Sequence, residues 1–533
     1  MAEVNSGEIP RALRVDNADD GLGQSQFVET IEILPSQFSG GANDRQTATF
    51  LLPKTGICDR DGFISFQSLT PPEAEGDENR WRFPMWAGAM SAIETASLWC
   101  GGVLLCQSRA VGHKYCINNF YRDPHNRDNK EGPRVQAQSA TCLDRDAGIV
   151  AGPTTNLPCK TAMDSQKDMC QAGVAGPAIA PGVQGHQALF SNQGYYPNQY
   201  RRMTGGGRSG KTRNPSPHCR VYLDVLFPFL RNNNLPLGLL EDQCKVVIEF
   251  KEDLCRGQRL CRNATTNPWT AGVAIADAKL HLDIIYYDDP IGAQTTMEKI
   301  SASLNAGTTL PFTDDAYVVR QVPAQTPVAT TNVDVLLGLD HQVLRHIHGA
   351  LPLADDYAAP ATSGNALLGS YHSCGSSCIQ QNGNFQETIQ VKLNAQPVYP
   401  NPLDTDGKIF DQLCQVYPTP FKCSNDITSL FQNTNIVGAG LVAPQTPSVS
   451  DLTMDGQAQT TTLTGKGHYY GIPLSKSYSN ALGQGTPIGR QPMVWNQTLM
   501  NAVGNVDAKT LHLWATCERA LSIQGGKVMV SGS

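Results

Sequence analysis

Short segments in which apolar and polar residues alternate constrain the fold of this chain more than any other feature of its sequence. In Leu280–Tyr286 every second residue is apolar, with His281 and Asp283 between them, and Ile389–Leu393 repeats the pattern. A period of two places successive side chains on opposite faces of a strand. Each segment is therefore predicted to be a half-buried β-strand with one wet face.

Other segments also favour strands, and helical patterns are few and short. Val221–Phe227 and Lys245–Phe250 are β-branched and aromatic runs bounded by turn residues, which is typical of strands. Met297–Leu304 and Ile409–Val416 carry apolar residues at helical spacing over one or two turns. The 49 glycines and 34 prolines favour turns and loops over long helices. We predict an all-β protein with short helices in its loops.

The composition limits the class of protein. Of the 533 residues, 40% are hydrophobic and 17% charged, which suits real cores and is unlike a disordered chain. The net charge of −7 and the slightly acidic start Met1–Gly23 provide no basic arm for coating nucleic acid. No secretory signal and no run of about 18 apolar residues is evident. We expect a soluble protein that is made in the cytosol and does not bind nucleic acid directly.

A repeated segment divides the chain into two modules. Asp277–Leu282 and Asp507–Leu513 match with one insertion, and each opens an apolar strand near the end of its half of the chain. Sandwiches of about 200–250 residues are common, so two large β-units fit this length. The predicted segments are an N-terminal extension (1–22), a first β-module (23–290) with a long loop insertion (131–218), a linker helix (291–308) and a second β-module (309–533).

Three longer segments carry a family resemblance. Val221–Phe250 contains, in order, a strand, a Pro-Phe turn, an Arg/Asn loop, a Leu-Pro-Leu segment and a second strand. Ala278–Pro290 and Asn505–Ser533 each contain a strand that would close a module, and Phe27–Ser36 begins the first one. Together they resemble the double jelly-roll major capsid proteins of double-stranded DNA viruses. The style is closest to Polinton-like viruses and virophages, with nucleocytoplasmic large DNA viruses as cousins.

The resemblance implies two tandem jelly-roll β-sandwiches and a structural role rather than catalysis. Members of the family form homotrimers, which act as pseudo-hexameric capsomers and tile an icosahedral shell. The implied partners are further copies of the chain, neighbouring capsomers and minor or penton capsid proteins, and the minor proteins would mediate any contact with an internal membrane. The implied location is the virion, after synthesis and assembly inside the host cell.

A complete P-loop pattern, Gly205–Thr212, tests that interpretation. A P-loop cradles phosphate only when a buried strand precedes it and a helix follows. The preceding residues are polar, and Pro215 and Pro217 prevent a regular helix. We therefore predict no nucleotide site. The basic residues of this region are predicted to form a solvated loop, with contact to an acidic neighbour as the alternative: Arg201, Arg202, Arg208, Lys211 and Arg213.

Two histidines raise an alternative function, a two-module cupin-like metalloenzyme. His346 and His348 would face the same side of a strand, as metal ligands in cupins do. A cupin also needs a glutamate three or four residues further on, where Leu351 and Pro352 stand instead, and Asp355 is too far. The two imidazoles are therefore expected to face solvent or a subunit seam.

The remaining chemistry-bearing residues suggest no site. Sixteen cysteines are present, and the tightest group, His372, Cys374 and Cys378, lacks the second close ligand pair of a structural zinc site. Nothing in the cysteine spacing requires disulfides. The sequons at Asn263 and Asn496 lack a secretory context and are interpreted as accidental. We predict no catalytic, cofactor-binding or metal-binding residues.

Overall fold

The structure, a computed structural model, describes residues 25–41, 44–69, 90, 92–120, 219–251, 274–288, 295–324, 330–339, 343–352, 386–416, 469–475, 485–500 and 508–531. Strands dominate these residues, and every strand pairing among them is antiparallel. The prediction of an all-β chain with short helices is confirmed.

In the part of the first module that the structure describes, ten strands form two sheets. They are β1 (Ser25–Ile33), β2 (Gln37–Ser39), β3 (Thr47–Leu51), β4 (Ile57–Cys58), β5 (Phe63–Leu69), β6 (Ile93–Cys100), β7 (Val103–Arg109), β8 (Cys219–Tyr222), β9 (Cys244–Phe250) and β10 (Ala274–Asp288). One sheet has the order β1-β10-β5-β8, with β4 also on β10, and the other has the order β2-β3-β9-β6-β7.

The described residues of the second module form ten further strands. They are β11 (Thr309–Val322), β12 (Thr330–Leu336), β13 (Val343–Ala350), β14 (Gln386–Leu393), β15 (Gln396–Pro397), β16 (Tyr469–Pro473), β17 (Thr486–Pro487), β18 (Met493–Met500), β19 (Lys509–Gln524) and β20 (Lys527–Ser531). The sheet orders are β11-β19-β13-β16, with β17 on β13 and β20 on β19, and β12-β18-β14-β15.

Both modules have the same topology once the short accessory strands β2, β4, β17 and β20 are set aside. Eight strands then remain in each, and numbered in chain order they form one sheet of order 1-8-3-6 and one of order 2-7-4-5. Eight strands in two sheets with these crossovers are a jelly roll. The chain therefore contains two jelly rolls in tandem. The residue limits predicted for the modules remain a prediction.

The repeated segment of the sequence corresponds to equivalent strands. Asp277–Leu282 lies in β10 and the described part of Asp507–Leu513 enters β19, and each is the eighth strand of its module. In both sheets this strand lies between the first and third strands, so both of its edges are hydrogen-bonded. Its inward residues Leu280, Leu282 and Ile284 are fully buried, as the alternation predicts.

Within the described residues, five short α-helices connect or cover the strands. They are α1 (Val111–Phe120), α2 (Leu223–Leu226), α3 (Pro228–Asn232), α4 (Thr296–Asn305) and α5 (Asp406–Val416). Helix α4 lies between the modules and begins with a capping box, in which Thr295 and Glu298 satisfy each other's backbone N–H groups. Its apolar face, Ile300 and Leu304, is buried.

The prediction of a strand over Val221–Phe227 was wrong in part. Strand β8 ends at Tyr222, and α2 and α3 follow. A short run that is apolar except for one residue, here Asp224, suits a buried helical turn as well as a strand. Here the Arg231 guanidinium donates to the carbonyl oxygens of Asp224 and Val225, which stabilises the helical turns.

The wet face predicted for β14 is also only partly present. Ile389 and Val391 are buried as expected, but the intervening Gln390 is buried too. Its amide donates to the carbonyl oxygen of Tyr399 at 2.9 Å. The chain that follows β14 folds back over that face and removes it from water.

The two modules share part of a hydrophobic core. The core of the first module continues into five buried residues from the strands of the second: Leu310, Phe312, Leu521, Ile523 and Val528. The rings of Phe229 and Phe312 meet edge to face, with centroids 5.3 Å apart. A separate cluster fills the second sandwich around the fully buried Trp495.

Candidate functional site

The most unusual chemistry of the described residues lies where the two modules meet. We call this region the seam. On the first module it comprises β7 and α1, and on the second it comprises β11, β13 and β19. Ala110 has a positive φ of 49° and turns the chain from β7 directly into α1, which brings the start of the helix against the second sandwich.

Aromatic and imidazole rings line one part of the seam. His113 on α1 stacks on His512 of β19, with ring centroids 4.7 Å apart. The hydroxyl of Tyr317 on β11 lies 2.7 Å from Nδ1 of the same His512. The indole N–H of Trp514 donates to the carbonyl oxygen of Arg109, at the end of β7. The modules are thus joined by directional contacts as well as by apolar packing.

Buried ion pairs line the rest. Lys114 of α1 pairs with Asp315 of β11, across the seam. Within the second module, Arg519 pairs with Asp314 at 3.3 Å, and Arg345 Nε donates to Glu518 Oε1 at 2.9 Å. In each of these three pairs a cationic side chain faces a carboxylate. Buried charges persist in proteins when they are paired in this way.

Burial holds the histidines of the seam in their neutral form. It lowers the pKa of His512 to about 3. Burial, with the neighbouring His512, lowers the pKa of His113 well below its ordinary value. Burial and the adjacent His346 do the same to the pKa of His348, and burial lowers the pKa of His346 to about 3. Protonation of any of these rings would place a positive charge where little water is available to solvate it.

Two other groups in the seam are shifted by the same cause. Burial lowers the pKa of Lys114 to about 7, against the attraction of Asp314. Burial raises the pKa of Asp314 to about 6, although Arg519 and Lys114 both favour its ionised form.

The expectation that both histidines face solvent is wrong for His348, which is buried, whereas contact of His346 with another subunit stays a prediction. His348 is buried, His346 is partly buried, and their rings lie 4.6 Å apart on β13, near Lys114 of the other module. Lys114 of α1 lies close enough to act electrostatically on both rings, which places them beside the seam. Among the described residues, no group of three or more His, Cys, Asp or Glu side chains could hold a metal ion.

Other sequence-predicted features have different outcomes. The P-loop pattern Gly205–Thr212, the basic loop around it, the His372–Cys378 group, Asp355 and Asn263 lie outside the described residues. Asn496 lies on the exposed side of β18, where its amide donates to the carboxylate of Asp334.

Sequence reasoning missed the seam. A signal was present, because Lys114 lies within the apolar stretch before Ile117, and Asp314 and Asp315 interrupt a strand-like run. Charged residues in apolar segments are candidates for buried ion pairs. Their partners, however, are separated from them by hundreds of positions or lie in the other module, so spacing could not identify them.

A second feature is an apolar outer flank on the first module. Strand β2 forms one edge of its sheet, whereas β7, which contacts the second module, forms the opposite edge. Five large hydrophobic residues are exposed around β1, β2 and β3: Phe27, Val28, Leu34, Phe38 and Leu51. Phe27 is 60% exposed and Leu34 is 65% exposed. Exposed edge strands with apolar side chains are typical of surfaces that bind another chain.

Comparison with solved structures agrees with the topology. The chain is similar to a chain in the 3.5 Å cryo-EM structure of the Sputnik virophage, with a TM-score of 0.50 and 12% identity over 95% of this chain and 89% of that one. It is also similar to the Faustovirus major capsid protein (TM-score 0.49, 10% identity, 94% and 91% covered). A third similar structure is the mavirus major capsid protein (TM-score 0.48, 9% identity, 94% and 90% covered).

At these identities the likeness concerns the fold. The predicted resemblance to double jelly-roll capsid proteins is confirmed at that level. No protein-family model matches the sequence, and no curated protein matches it. Among the helices of the described residues, none has the length and apolar character needed to cross a membrane.

Proposed function

We propose that the chain is a major capsid protein that trimerises into pseudo-hexameric capsomers, which tile an icosahedral shell. The observation that carries this proposal is the pair of jelly rolls with identical strand order, joined in one chain through a buried seam. Two similar modules held side by side are the geometric unit from which three chains make a six-part ring. We propose a structural role and no catalysis.

Ring closure follows from the asymmetry of the unit. The two modules are similar but not identical, so an outer flank of one copy meets a different flank of the next. Such a heterologous contact must close into a ring or continue as a filament. If each module occupies about a sixth of a turn, three chains close the ring. The exposed apolar flank around β1 and β2 is the surface we assign to this contact.

The proposed partners follow from the same geometry. Trimers would contact neighbouring trimers, and minor or penton proteins would occupy positions that a six-part block cannot fill. Contact with an internal membrane would be made through minor proteins, and the location would be the virion. The net charge of −7 argues against direct genome binding.

The oligomeric state tests the proposal. Light scattering on the purified full chain should give three times the 57.6 kDa chain mass, about 173 kDa. Permanent interfaces bury on the order of 2,000 Å² or more, so the trimer should persist at micromolar concentration. It should also persist between about 50 and 500 mM salt, because apolar contacts are not screened. A stable monomer or an even-numbered oligomer would contradict the model.

Two variants test the assigned flank. Phe27→Lys combined with Leu34→Lys places charges on exposed positions and should yield a folded monomer. The matched control, Phe27→Leu combined with Leu34→Met, keeps the flank apolar and should remain a trimer. If the charged variant still trimerises, the contact lies elsewhere. Threefold, hexagon-like particles in negative-stain images would support the trimer independently.

The cupin-like metalloenzyme makes a different prediction. It would require His346 and His348 to bind a metal, and purified protein would then contain about one metal ion per site. We expect far less than one ion per chain by elemental analysis. Stoichiometric metal that is lost on His348→Ala would favour the enzyme.

A further inference from the structure

Two cysteines lie directly opposite each other on neighbouring strands of the first module. Cys100 is the last residue of β6, Cys244 is the first residue of β9, and the two are register partners. One position further on, Gly101 N donates to Gln243 O at 3.0 Å. The carbonyl oxygen of Cys244 accepts instead from Leu52, on the other neighbouring strand. The cysteines therefore occupy a non-hydrogen-bonded pair.

This position suits a disulfide. In antiparallel sheets, the Cα atoms of non-hydrogen-bonded pairs are about 4.5 Å apart and their side chains are closest. Disulfides join residues whose Cα atoms are about 4.4–6.8 Å apart. Cys100 and Cys244 are both almost fully buried, and both are free thiols in this structure. Closing the bond therefore requires little movement of the backbone.

The two thiols also contact each other, and the contact makes them chemically unequal. A hydrogen bond between them lowers the pKa of Cys100, against the effect of burial. The same bond, with burial, raises the pKa of Cys244. The directions of these shifts favour ionisation of Cys100 over that of Cys244. The other described buried thiols differ, since burial raises the pKa of Cys58 and of Cys517 to about 12.

We propose that Cys100 and Cys244 form a reversible disulfide that fastens β6 to β9 when the protein meets an oxidising environment. The oxidant is a small disulfide such as oxidised glutathione. The Cys100 thiolate attacks one sulfur of the oxidant, forms a mixed disulfide and releases one thiolate. Cys244 then loses its proton to that thiolate and attacks the Cys100 sulfur, which releases the second thiolate to be protonated. Two protein thiols and one small disulfide become one protein disulfide and two small thiols.

The reagent has a route to the pair. Cys100 immediately precedes the turn at Gly101 and Gly102, and the space beside Gly102 is open. Because Cys100 is almost fully buried, the proposed reaction includes a transient opening of this turn that admits the reagent. The new bond would close a loop that includes residues 131–218, and long loops gain most from such a link. The inference concerns this chain alone and holds whatever shell it builds.

Mass spectrometry of the wild-type full chain tests the proposal. The reduced protein is equilibrated with glutathione buffers whose reduction potentials range from that of the cytosol to that of the secretory pathway. Free thiols are then alkylated and the protein is digested without reduction. We expect a peptide pair joined through Cys100 and Cys244 in the oxidising buffers, lost again on adding reductant. Its absence in every buffer, with circular dichroism unchanged, would overturn the proposal, and so would a link from Cys244 to Cys58.

Matched variants sharpen the test. Cys100→Ala and Cys244→Ala should each abolish that peptide pair. Cys106→Ala, a change at a buried thiol on the adjacent strand β7, should retain it. Oxidation should raise the thermal midpoint of wild type and Cys106→Ala by several degrees, with no rise in Cys100→Ala. Because the crosslink is mapped in wild type, the proposal remains testable even if a variant does not fold.

Discussion

The imidazole of His113 stacks on that of His512, with ring centroids 4.7 Å apart, although the two residues belong to different jelly rolls. Both rings are buried. His281 lies on β10, the strand of the first module equivalent to β19, and is partly exposed there, beside Phe63. The same type of residue on equivalent strands is therefore a surface group in one module and a joint between modules in the other.

The first prediction is that acid weakens the seam. His113, His348 and His512 are neutral when folded, whereas in the unfolded chain they bind protons below about pH 6.5. Their stabilisation is therefore complete above about pH 6.5 and is lost as the pH falls toward their lowered pKa values. At pH 5 each of these three histidines lowers the free energy of unfolding by roughly 2 kcal/mol. We expect urea denaturation to give a markedly lower free energy of unfolding at pH 5 than at pH 7.5.

Other ionisable groups in the seam do not reverse this result. The pKa of Asp314 is raised to about 6, so the folded protein favours its protonated form. At pH 5 this increases the free energy of unfolding by only roughly 1–2 kcal/mol. Lys114, with a pKa of about 7, is already charged below that pH. His113→Phe keeps the ring stack. It should reduce the decrease in the free energy of unfolding between pH 7.5 and pH 5 by about 2 kcal/mol. The control His281→Gln should change it little, and equal stability of wild type at both pH values would refute the idea.

The second prediction concerns the buried pair of Arg345 and Glu518. Glu518 Oε1 accepts from Arg345 Nε and from the backbone N–H of Gly485, each at 2.9 Å. Arg345→Met leaves a buried carboxylate without its cation, which should cost about 3–5 kcal/mol in chemical denaturation. Adding Glu518→Gln removes the orphaned charge and still accepts from Gly485, so the double variant should recover most of that loss. A single variant as stable as wild type would contradict the pairing.

The third prediction concerns a polar network inside the second sandwich. The hydroxyl of Tyr470 donates to Glu387 Oε1 at 2.5 Å, and the amide of Gln497 donates to the same oxygen. Tyr470→Phe removes a hydrogen bond to a charged, buried group and should cost about 1.5–3 kcal/mol. Tyr286→Phe removes an exposed bond to Thr55 and should cost less than about 0.5 kcal/mol. Thermal melts of both variants make the comparison, and equal losses would exclude a special role for the buried network.

The fourth prediction concerns the contact between α5 and β16. A Cβ added at Gly471 would lie 2.5 Å from Leu413 Cδ1 and 3.0 Å from Leu413 Cα. Gly471→Ala should therefore push the helix from the sheet and cost about 1–3 kcal/mol. Gly102→Ala meets open space and should be neutral or slightly stabilising. If denaturant midpoints of the two variants agree, helix and strand do not pack as closely as described.

The fifth prediction is that the P-loop pattern is silent. Its polar, proline-flanked sequence lacks the strand and helix that a phosphate cradle needs. Lys211→Ala should change neither nucleotide affinity nor stability beyond about 0.5 kcal/mol. Saturable ATP binding by wild type at micromolar levels, lost in the variant, would overturn this expectation.

Local sequence patterns determined the elements of this protein. The alternation in Leu280–Tyr286 identified a half-buried strand, the helical spacing in Ile409–Val416 identified α5, and the repeated segment identified equivalent strands of two modules. These predictions succeeded because side-chain periodicity reflects which face of one element is buried. The run Val221–Phe227 is apolar except for Asp224 and has apolar residues on both faces of a strand, and there the prediction of a strand failed after Tyr222.

The tertiary structure alone decided where polar residues would lie. His348 was expected to face solvent or a subunit seam, and no sequence pattern assigned a role to Lys114. Both are buried where the two jelly rolls meet, and Lys114 of α1 pairs there with Asp315 of β11, which is far away in the sequence. The same holds for Cys100 and Cys244, which the register of β6 and β9 places opposite each other. Burial and pairing depend on which surfaces pack together. A local sequence pattern does not show which distant surface will pack against a given residue.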